Sequence, residues 1–281
     1  MDNIQFRQVI KNNLFQEIQF ADSQGEIKRG ASEVNILPDF ERITTIINLI
    51  SPLVCKISNA SKSLRGLEIG TGYGGLIRSL TLIFPEFKWY GLEHPERKYL
   101  KKEAYWQLLE QLNCSLILSD ITREKLPFED KFFNLITFSE VLEHLPAEAV
   151  MPVMNEIWRV LDKGGYFIIS SPNQVQLLNR IQLLRGKSIL SLPTSVKYAK
   201  GTFAHIRLYT KEELVDIVSS VGFEVQQIVC KSRFLKYLKG NAFWKKIAYK
   251  LFWFFDILSR VFTDNLADTL YIVCQKPRSS S

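Results

Sequence analysis

Short apolar runs alternate with amphipathic stretches through the middle of the chain, and most of the runs end on a polar or acidic residue. Leu67-Glu68-Ile69 enters Gly70-Thr71-Gly72-Tyr73-Gly74-Gly75. Leu76, Ile77, Leu80, Leu82 and Ile83 then recur at mixed helical spacing until Pro85. That pattern predicts strand, tight turn and helix. Trp89-Tyr90-Gly91-Leu92 predicts a second strand ending at Glu93, and Pro95 opens a long helix to about Asn113. Ser115 to Leu118 predicts a third strand, running out at Ser119-Asp120-Ile121; Phe132 to Phe138 predicts a fourth, ending at Ser139-Glu140. Val150, Val153, Met154, Ile157, Trp158 and Leu161 mark one helix face. Asp162-Lys163-Gly164-Gly165 reads as a turn before a fifth strand, Tyr166 to Ser170. Thr210 to Glu213 spells a capping box for a helix through Ser220, which Gly222 ends. Phe223 to Val229 and Leu270 to Cys274 supply a sixth and a seventh strand.

Strands and helices alternating five times imply an α/β fold: a mostly parallel seven-stranded sheet with helices on both faces, plus helical insertions. Residues 1–60 form an N-terminal helical cap: a short helix and a loop broken at Gly25 and Gly30, then a helix from Ile36 to Lys56 that Pro52 kinks or ends. This block either covers the site or packs on the sheet edge. Residues 61–230 are the core, with an insertion at 171–209 that carries a helix near Val175 to Leu184 and a mobile loop from Gly186 to Gly201. Residues 231–264 form a basic amphipathic insertion, and 265–281 the last strand and tail.

Charge changes the picture at one place. The net charge of +7 is concentrated in residues 231–250, which hold seven Lys and Arg and no acid, while the remainder balances at 29 of each sign. A local excess points to a local partner rather than to a protein coated in nucleic acid. Cys55, Cys114, Cys230 and Cys274 form no paired spacing, which argues against a zinc site or disulfide framework and fits a reducing cytoplasm. The first 16 residues lack a continuous apolar core, so no signal peptide is expected, and no apolar run is long enough to span a bilayer.

Candidate chemistry gathers at the strand ends. Gly70, Gly72 and Gly75 satisfy the dinucleotide spacing, and Glu93 stands where a ribose-binding acid belongs on the second strand. By itself this fits any nucleoside-type cofactor. Glu68, Asp120 and Glu140 narrow it, because three further carboxylates at successive strand ends suit a positively charged ligand and oppose a pyrophosphate.

These residues resemble the class I S-adenosylmethionine-dependent methyltransferases, closest to the group of ubiquinone-biosynthesis O-methyltransferases and related bacterial small-molecule enzymes. Glu68 to Gly74, Glu93, Asp120-Ile121, Glu140 to Leu145 and Leu161 to Gly165 carry the resemblance, which covers roughly residues 64–222. It implies a Rossmann-like fold with S-adenosylmethionine as cofactor and a small-molecule or lipid- or glycan-linked acceptor. It implies Glu68 and the turn Gly70, Thr71, Gly72 and Gly74 near the methionine portion, and Glu93 on the ribose hydroxyls. His94 borders the cofactor, Asp120 accepts from the adenine amino group, and Ile121 packs on its ring. Glu140 lies beside the methionine ammonium or the acceptor. His144 is the candidate catalytic base. In some relatives, among them small-RNA 3′-end 2′-O-methyltransferases, a pattern like Glu140-x-x-Glu143-His144 binds metal, with His205 available here as a further ligand. Metal-free relatives share the same letters, so no metal is expected.

The 231–262 segment departs from this core. Phe243, Ile247, Leu251, Phe254, Leu258 and Phe262 fall on one helical face opposite Lys245, Lys246, Lys250 and Arg260. Packing on the chain's own sheet, an anionic membrane surface or lipid-like substrate, and a dimer contact all suit that pattern. The expectation is a cytoplasmic enzyme, peripheral at a membrane in the second case. The alternatives are a non-catalytic S-adenosylmethionine-binding protein on membranes, or an RNA methyltransferase using the basic patch; nucleic acid is not the favoured partner.

Overall fold

The computed structural model describes residues 3–23, 33–101, 103–110, 112, 114–190, 205–231, 250 and 266–278. Two helices, α1 (Asn3–Ser23) and α2 (Glu33–Ser58), precede strand β1 (Arg65–Ile69), helix α3 (Gly75–Ile83) and strand β2 (Lys88–Glu93). A 3₁₀ turn (Lys98–Lys101) and α4 (Glu103–Glu110) lead to β3 (Cys114–Leu118) and β4 (Phe133–Ser139). A second 3₁₀ turn (Leu142–His144), α5 (Ala147–Val160), β5 (Leu161–Pro172) and α6 (Leu177–Leu184) follow, then α7 (Lys211–Ser220), β6 (Glu224–Lys231) and β7 (Thr269–Gln275). The strand order is β3-β2-β1-β4-β5-β7-β6. β1 pairs parallel with β2 and β2 with β3, while β6 and β7 run antiparallel. This is the mostly parallel, Rossmann-like arrangement expected.

The chain divides into two compact units. The first holds residues 1–137, 156–167 and 276–281; the second holds 138–155 and 168–275. In the first, β1 and β2 bury Leu67, Ile69, Trp89 and Leu92. Gly66 is required beneath Trp89, because a Cβ there would lie 2.4 Å from the indole ring. Arg159 braces the segment before β4: it donates to the carbonyls of Leu126 and Phe128 and pairs with Asp130 and Glu156. In the second unit, Leu214, Val218, Leu270 and Ile272 form part of the core.

Four sequence expectations need correction. The first helix is 21 residues long rather than short, because Ile10 and Leu14 are buried and Asn13 donates from its side chain to Ser79 of α3. Pro52 does not end α2. Its lost hydrogen bond and ring clash cost about 3 kcal/mol, whereas burying Leu53 and Ile57 beyond it returns roughly 1.5–3 kcal/mol each. The long helix from Pro95 is instead the short 3₁₀ turn and α4. The backbone there closes three residues back, Arg97 N on the His94 carbonyl at 3.2 Å and Leu100 N on that of Arg97 at 3.1 Å. The turn at Asp162 to Gly165 is the opening of β5, because Gly164 donates to the Lys276 carbonyl and Lys276 donates to that of Gly165. The loops expected around Gly25 to Gly30 and in most of Gly186 to Gly201, and the basic helix of 231–262 except Lys231 and Lys250, lie outside the described residues.

Candidate functional site

In the first unit the glycine turn is built by hydrogen bonds to its own backbone. Gly70 and Thr71 donate to the Leu92 carbonyl at 2.8 and 3.3 Å, and Gly74 donates to that of Thr71 at 2.9 Å. Gly70, Gly72 and Gly74 have φ of 81°, 54° and 93°, the left-handed region that side chains with a Cβ avoid. A Cβ on Gly72 would meet nothing within 4 Å, so that face of the turn is open to a ligand. α3 starts immediately afterwards, with its first N–H groups unpaired inside the helix.

Glu93 closes the turn from the side. Its Oε2 accepts from Gly72 N at 2.7 Å and lies 3.5 Å from the Thr71 hydroxyl; its Oε1 accepts from His94 N at 2.8 Å and Arg97 Nε at 3.2 Å. The carboxylate is 2% exposed. Two of these bonds are short and two are long, so the long pair is what an incoming hydroxyl would displace. Glu68 on β1 is buried as well. The Cys114 thiol is pushed up to about 12 by burial and by the Glu68 charge, which makes that cysteine unreactive.

Asp120 follows β3. Its Oδ1 accepts from the backbone and hydroxyl of Thr122 at 3.0 and 2.6 Å, and its Oδ2 lies 3.5 Å from His94 Nε2 and 3.4 Å from Arg123 Nε. Burial raises its pKa, but the Thr122 hydrogen bonds and the His94 and Arg123 charges outweigh that and hold it below the usual value. His94 Nδ1 accepts from the Glu96 N–H, which leaves Nε2 facing Asp120 Oδ2. Ile121 sits half-buried beside it. Thus Gly70, Thr71, Gly72, Gly74, Glu93, His94 and Asp120 form one connected set.

Two further members were not singled out from sequence. Tyr105, fully buried on α4, donates its hydroxyl to the Gly72 carbonyl at 3.1 Å and lies 3.5 Å from the Thr71 hydroxyl. Nothing local marks it, since it reads as one more apolar helix position. Arg97 was foreseeable as the residue four positions after Glu93.

The second unit holds the remaining candidates. Glu140 has a φ of 57° although it is not glycine. It is held there by donating its N–H to the Ser170 carbonyl at 3.0 Å, with the Ser170 hydroxyl 3.4 Å from its Oε1. A left-handed non-glycine residue costs on the order of 1–3 kcal/mol and persists where the surrounding structure holds it, as it also does at Lys131. Beyond it, Glu143 is 0% exposed, and its carbonyl accepts from Ile206 N at 2.8 Å and Arg207 N at 3.3 Å. That bond pair draws in His205, whose Nε2 lies 4.0 Å from Glu143 Oε1. The His144 and His205 rings meet edge to face with centroids 5.0 Å apart. One ligand atom each from Glu143, His144 and His205 lie within 4.8 Å of one another, a set that excludes Glu140. Arg207 pairs with Glu213, whose carboxylate also completes the capping box with Thr210. Tyr209 is buried, which raises its pKa, and the charges of Glu143 and Glu213 raise it further against the opposing pull of Arg207.

The turn fits a cationic nucleoside better than a pyrophosphate. Its donors face a carboxylate already in place, and Glu68 adds a second negative charge to the same unit. Comparison with known proteins agrees. A family model described as a methyltransferase domain matches residues 39–228. The chain is 24% identical over 170 residues to a tRNA N(3)-methylcytidine methyltransferase Mettl2 of Drosophila melanogaster, covering 59% of this chain and 50% of that one. It is 25% identical over 139 residues to a sarcosine/dimethylglycine N-methyltransferase of Aphanothece halophytica, covering 49% and 48%. The chain therefore spans about half the length of these curated relatives. Among solved structures, phosphoethanolamine N-methyltransferase 2 of Haemonchus contortus superposes with a TM-score of 0.51 at 16% identity, over 82% of this chain and 52% of that one. A sarcosine dimethylglycine methyltransferase of Galdieria sulphuraria gives 0.51 at 14% identity, over 83% and 85%. These last two likenesses are of fold.

Proposed function

We propose that this chain, which belongs to the methyltransferase-domain family, transfers a methyl group from S-adenosylmethionine to a small-molecule or lipid- or glycan-linked acceptor, and that His144 takes the acceptor's proton. The cofactor supplies an already activated methyl group. The protein's own work is to hold, orient and deprotonate. Glu93 would exchange its contacts with Thr71 and Arg97 for the ribose hydroxyls, while keeping its two short backbone bonds. Asp120 and His94 would serve the adenine end, and Glu68 the methionine end. The cofactor would supply its methyl group to the acceptor's oxygen or nitrogen, and His144 would take the proton that the acceptor gives up.

The observation that carries the base assignment is the buried Glu143 carboxylate with two imidazoles beside it. One ligand atom each from Glu143, His144 and His205 lie within 4.8 Å of one another, so an acceptor held beside His144 meets an imidazole that can receive its proton. The sarcosine, dimethylglycine and phosphoethanolamine named for the relatives put amines beside lipid-linked hydroxyls among the acceptors to try. A reducing cytoplasmic setting is part of the proposal, and the scattered cysteine spacing supports it. No helix among the described residues is long and apolar enough to cross a membrane. The 24% likeness to a tRNA methyltransferase supports RNA as a second reading.

Two measurements test this. Calorimetric titration should show uptake of S-adenosylmethionine and S-adenosylhomocysteine and none of NADH; uptake of NADH alone would mean that the glycine turn serves a dinucleotide. Incubation of cell metabolites and of total RNA with methyl-labelled cofactor should then place the label in a small or lipid-extractable product. Label confined to RNA would replace the acceptor reading.

A further inference from the structure

Helix α6 is anchored at its root and exposed over its length. Asn179 donates from its side chain to the carbonyls of Asn173 and Gln174, Asn173 donates to that of Ala267, and Leu177 N donates to that of Leu266. The far end is equally well defined. Lys187 N bonds back to the Gln182 carbonyl and Gly186 N to that of Leu183, with Gly186 at φ 66°, a Schellman-type stop. Yet every residue from Arg180 to Ser188 is exposed. Leu178 is 39% exposed, Ile181 38%, Leu183 56% and Leu184 88%. A capped helix that offers four aliphatic side chains to water marks an interaction site.

The surrounding sequence says what kind. No Asp or Glu occurs anywhere in residues 163–211, which hold eight Lys and Arg, nor in 225–255, which hold seven. These stretches leave 21 basic against 29 acidic residues elsewhere, so the chain's positive excess lies wholly within them. Arg185 and Lys187 extend it to the tip of α6, and Arg180 Nε donates to the Val175 carbonyl at 2.6 Å.

We propose that the tip of α6 inserts Leu183 and Leu184 into an anionic lipid surface, with the exposed Arg185 and Lys187 beside them attracted to its headgroups. Aliphatic side chains gain by leaving water for acyl chains, and lysines and arginines gain from anionic lipid. Both features are needed for a membrane. RNA would use the charge but has no place for four aliphatic side chains, and a second copy of this chain would bring like charges together. The inference rests on α6 and the charge pattern rather than on methyl transfer, so turnover in solution and vesicle binding fail separately.

The test is sedimentation of the full chain with phosphatidylcholine vesicles, with and without phosphatidylglycerol, at low and high salt. The expected result is binding to the phosphatidylglycerol vesicles alone, weakened by salt. The double substitution Leu183→Glu and Leu184→Glu, at exposed positions, should reduce it about tenfold or more, while calorimetric uptake of S-adenosylhomocysteine is unchanged. Arg185→Ala with Lys187→Ala should weaken binding less and lower its salt dependence. No binding to anionic vesicles overturns the proposal. So does binding that the leucine substitutions leave intact, and so does tighter binding to polyuridylate that those substitutions do not affect.

Discussion

The cradle in the first unit and the Glu143 cluster in the second both surround a buried carboxylate, and they treat it differently. Glu93 is held by four donors, two of them backbone N–H groups of the elements it joins. Beside Glu143, His205 Nε2 lies 4.0 Å from Oε1 and a ring nitrogen of His144 lies within 4.8 Å of the same carboxylate, while the Glu143 backbone carbonyl accepts from Ile206 and Arg207. The first arrangement is fixed by two short backbone bonds that a ligand leaves in place. The second sets a buried carboxylate beside two imidazoles that can carry a proton. A binding site profits from the former, because preorganisation lowers the cost of association. An acid–base site profits from the latter, because both protonation states must be accessible.

The largest way to break this contrast is His144→Ala. If the cluster is the base, turnover at saturating substrates should fall on the order of 10²–10⁴-fold, with cofactor affinity unchanged. Turnover should also decline on the acid side, as the imidazole becomes protonated before it can accept. Normal turnover in this variant would remove the base role. Exhaustive chelation should leave the rate as it is; a loss that an added divalent ion restores would make Glu143, His144 and His205 metal ligands instead. Next in size is Glu93→Ala. Net of the Thr71 and Arg97 contacts given up, two hydroxyl bonds to a carboxylate are worth about 3 kcal/mol, so affinity for S-adenosylhomocysteine should fall about 100-fold by calorimetry. An affinity within a few-fold of the wild type would show that the carboxylate only braces the turn.

Arg159→Ala sharpens the comparison from the side of stability. Losing the bonds to the Leu126 and Phe128 carbonyls should destabilise the first unit by about 2 kcal/mol in urea unfolding. The same guanidinium holds Glu156 and Asp130 below the usual carboxylate range. Carboxylates whose folded pKa is lowered contribute stability at neutral pH that is lost as pH falls through the folded value. Acid unfolding should therefore begin at higher pH in the variant, followed by circular dichroism. Smallest is Glu140→Gly. Relief of the left-handed strain should stabilise the protein by about 1 kcal/mol, roughly 2–4 °C in Tm, while catalysis or cofactor affinity declines. A rise in Tm with full activity would make the strained residue structural only.

How far this could be read from sequence depended on range. The glycine turn, Glu93 and Asp120 are legible because each is set by its own strand end and the next few residues. Tyr105 was hidden because its hydroxyl reaches a carbonyl 33 positions away. His205 was visible as a histidine, but its approach to Glu143 depends on backbone bonds made across the whole of α5, β5 and α6. Pro52 misled because a local breaker was weighed without the buried side chains that follow it. The opening of β5 misled for the same reason, since its partner at Lys276 comes more than a hundred residues later.

That late partner has a bearing on biosynthesis. The Lys276 ammonium donates to the carbonyls of Trp158 and Leu161, at 2.6 and 2.8 Å, and so tethers the end of α5. A ribosome delivers this lysine 115 residues after Leu161, once nearly all of the second unit has been translated. Until then the first unit lacks its closing stitch, which joins one carbonyl at the end of α5 to one at the start of β5. Stalled or C-terminally clipped chains should be the species that proteases and chaperones meet, and an extension fused close behind Arg278 would burden the same joint.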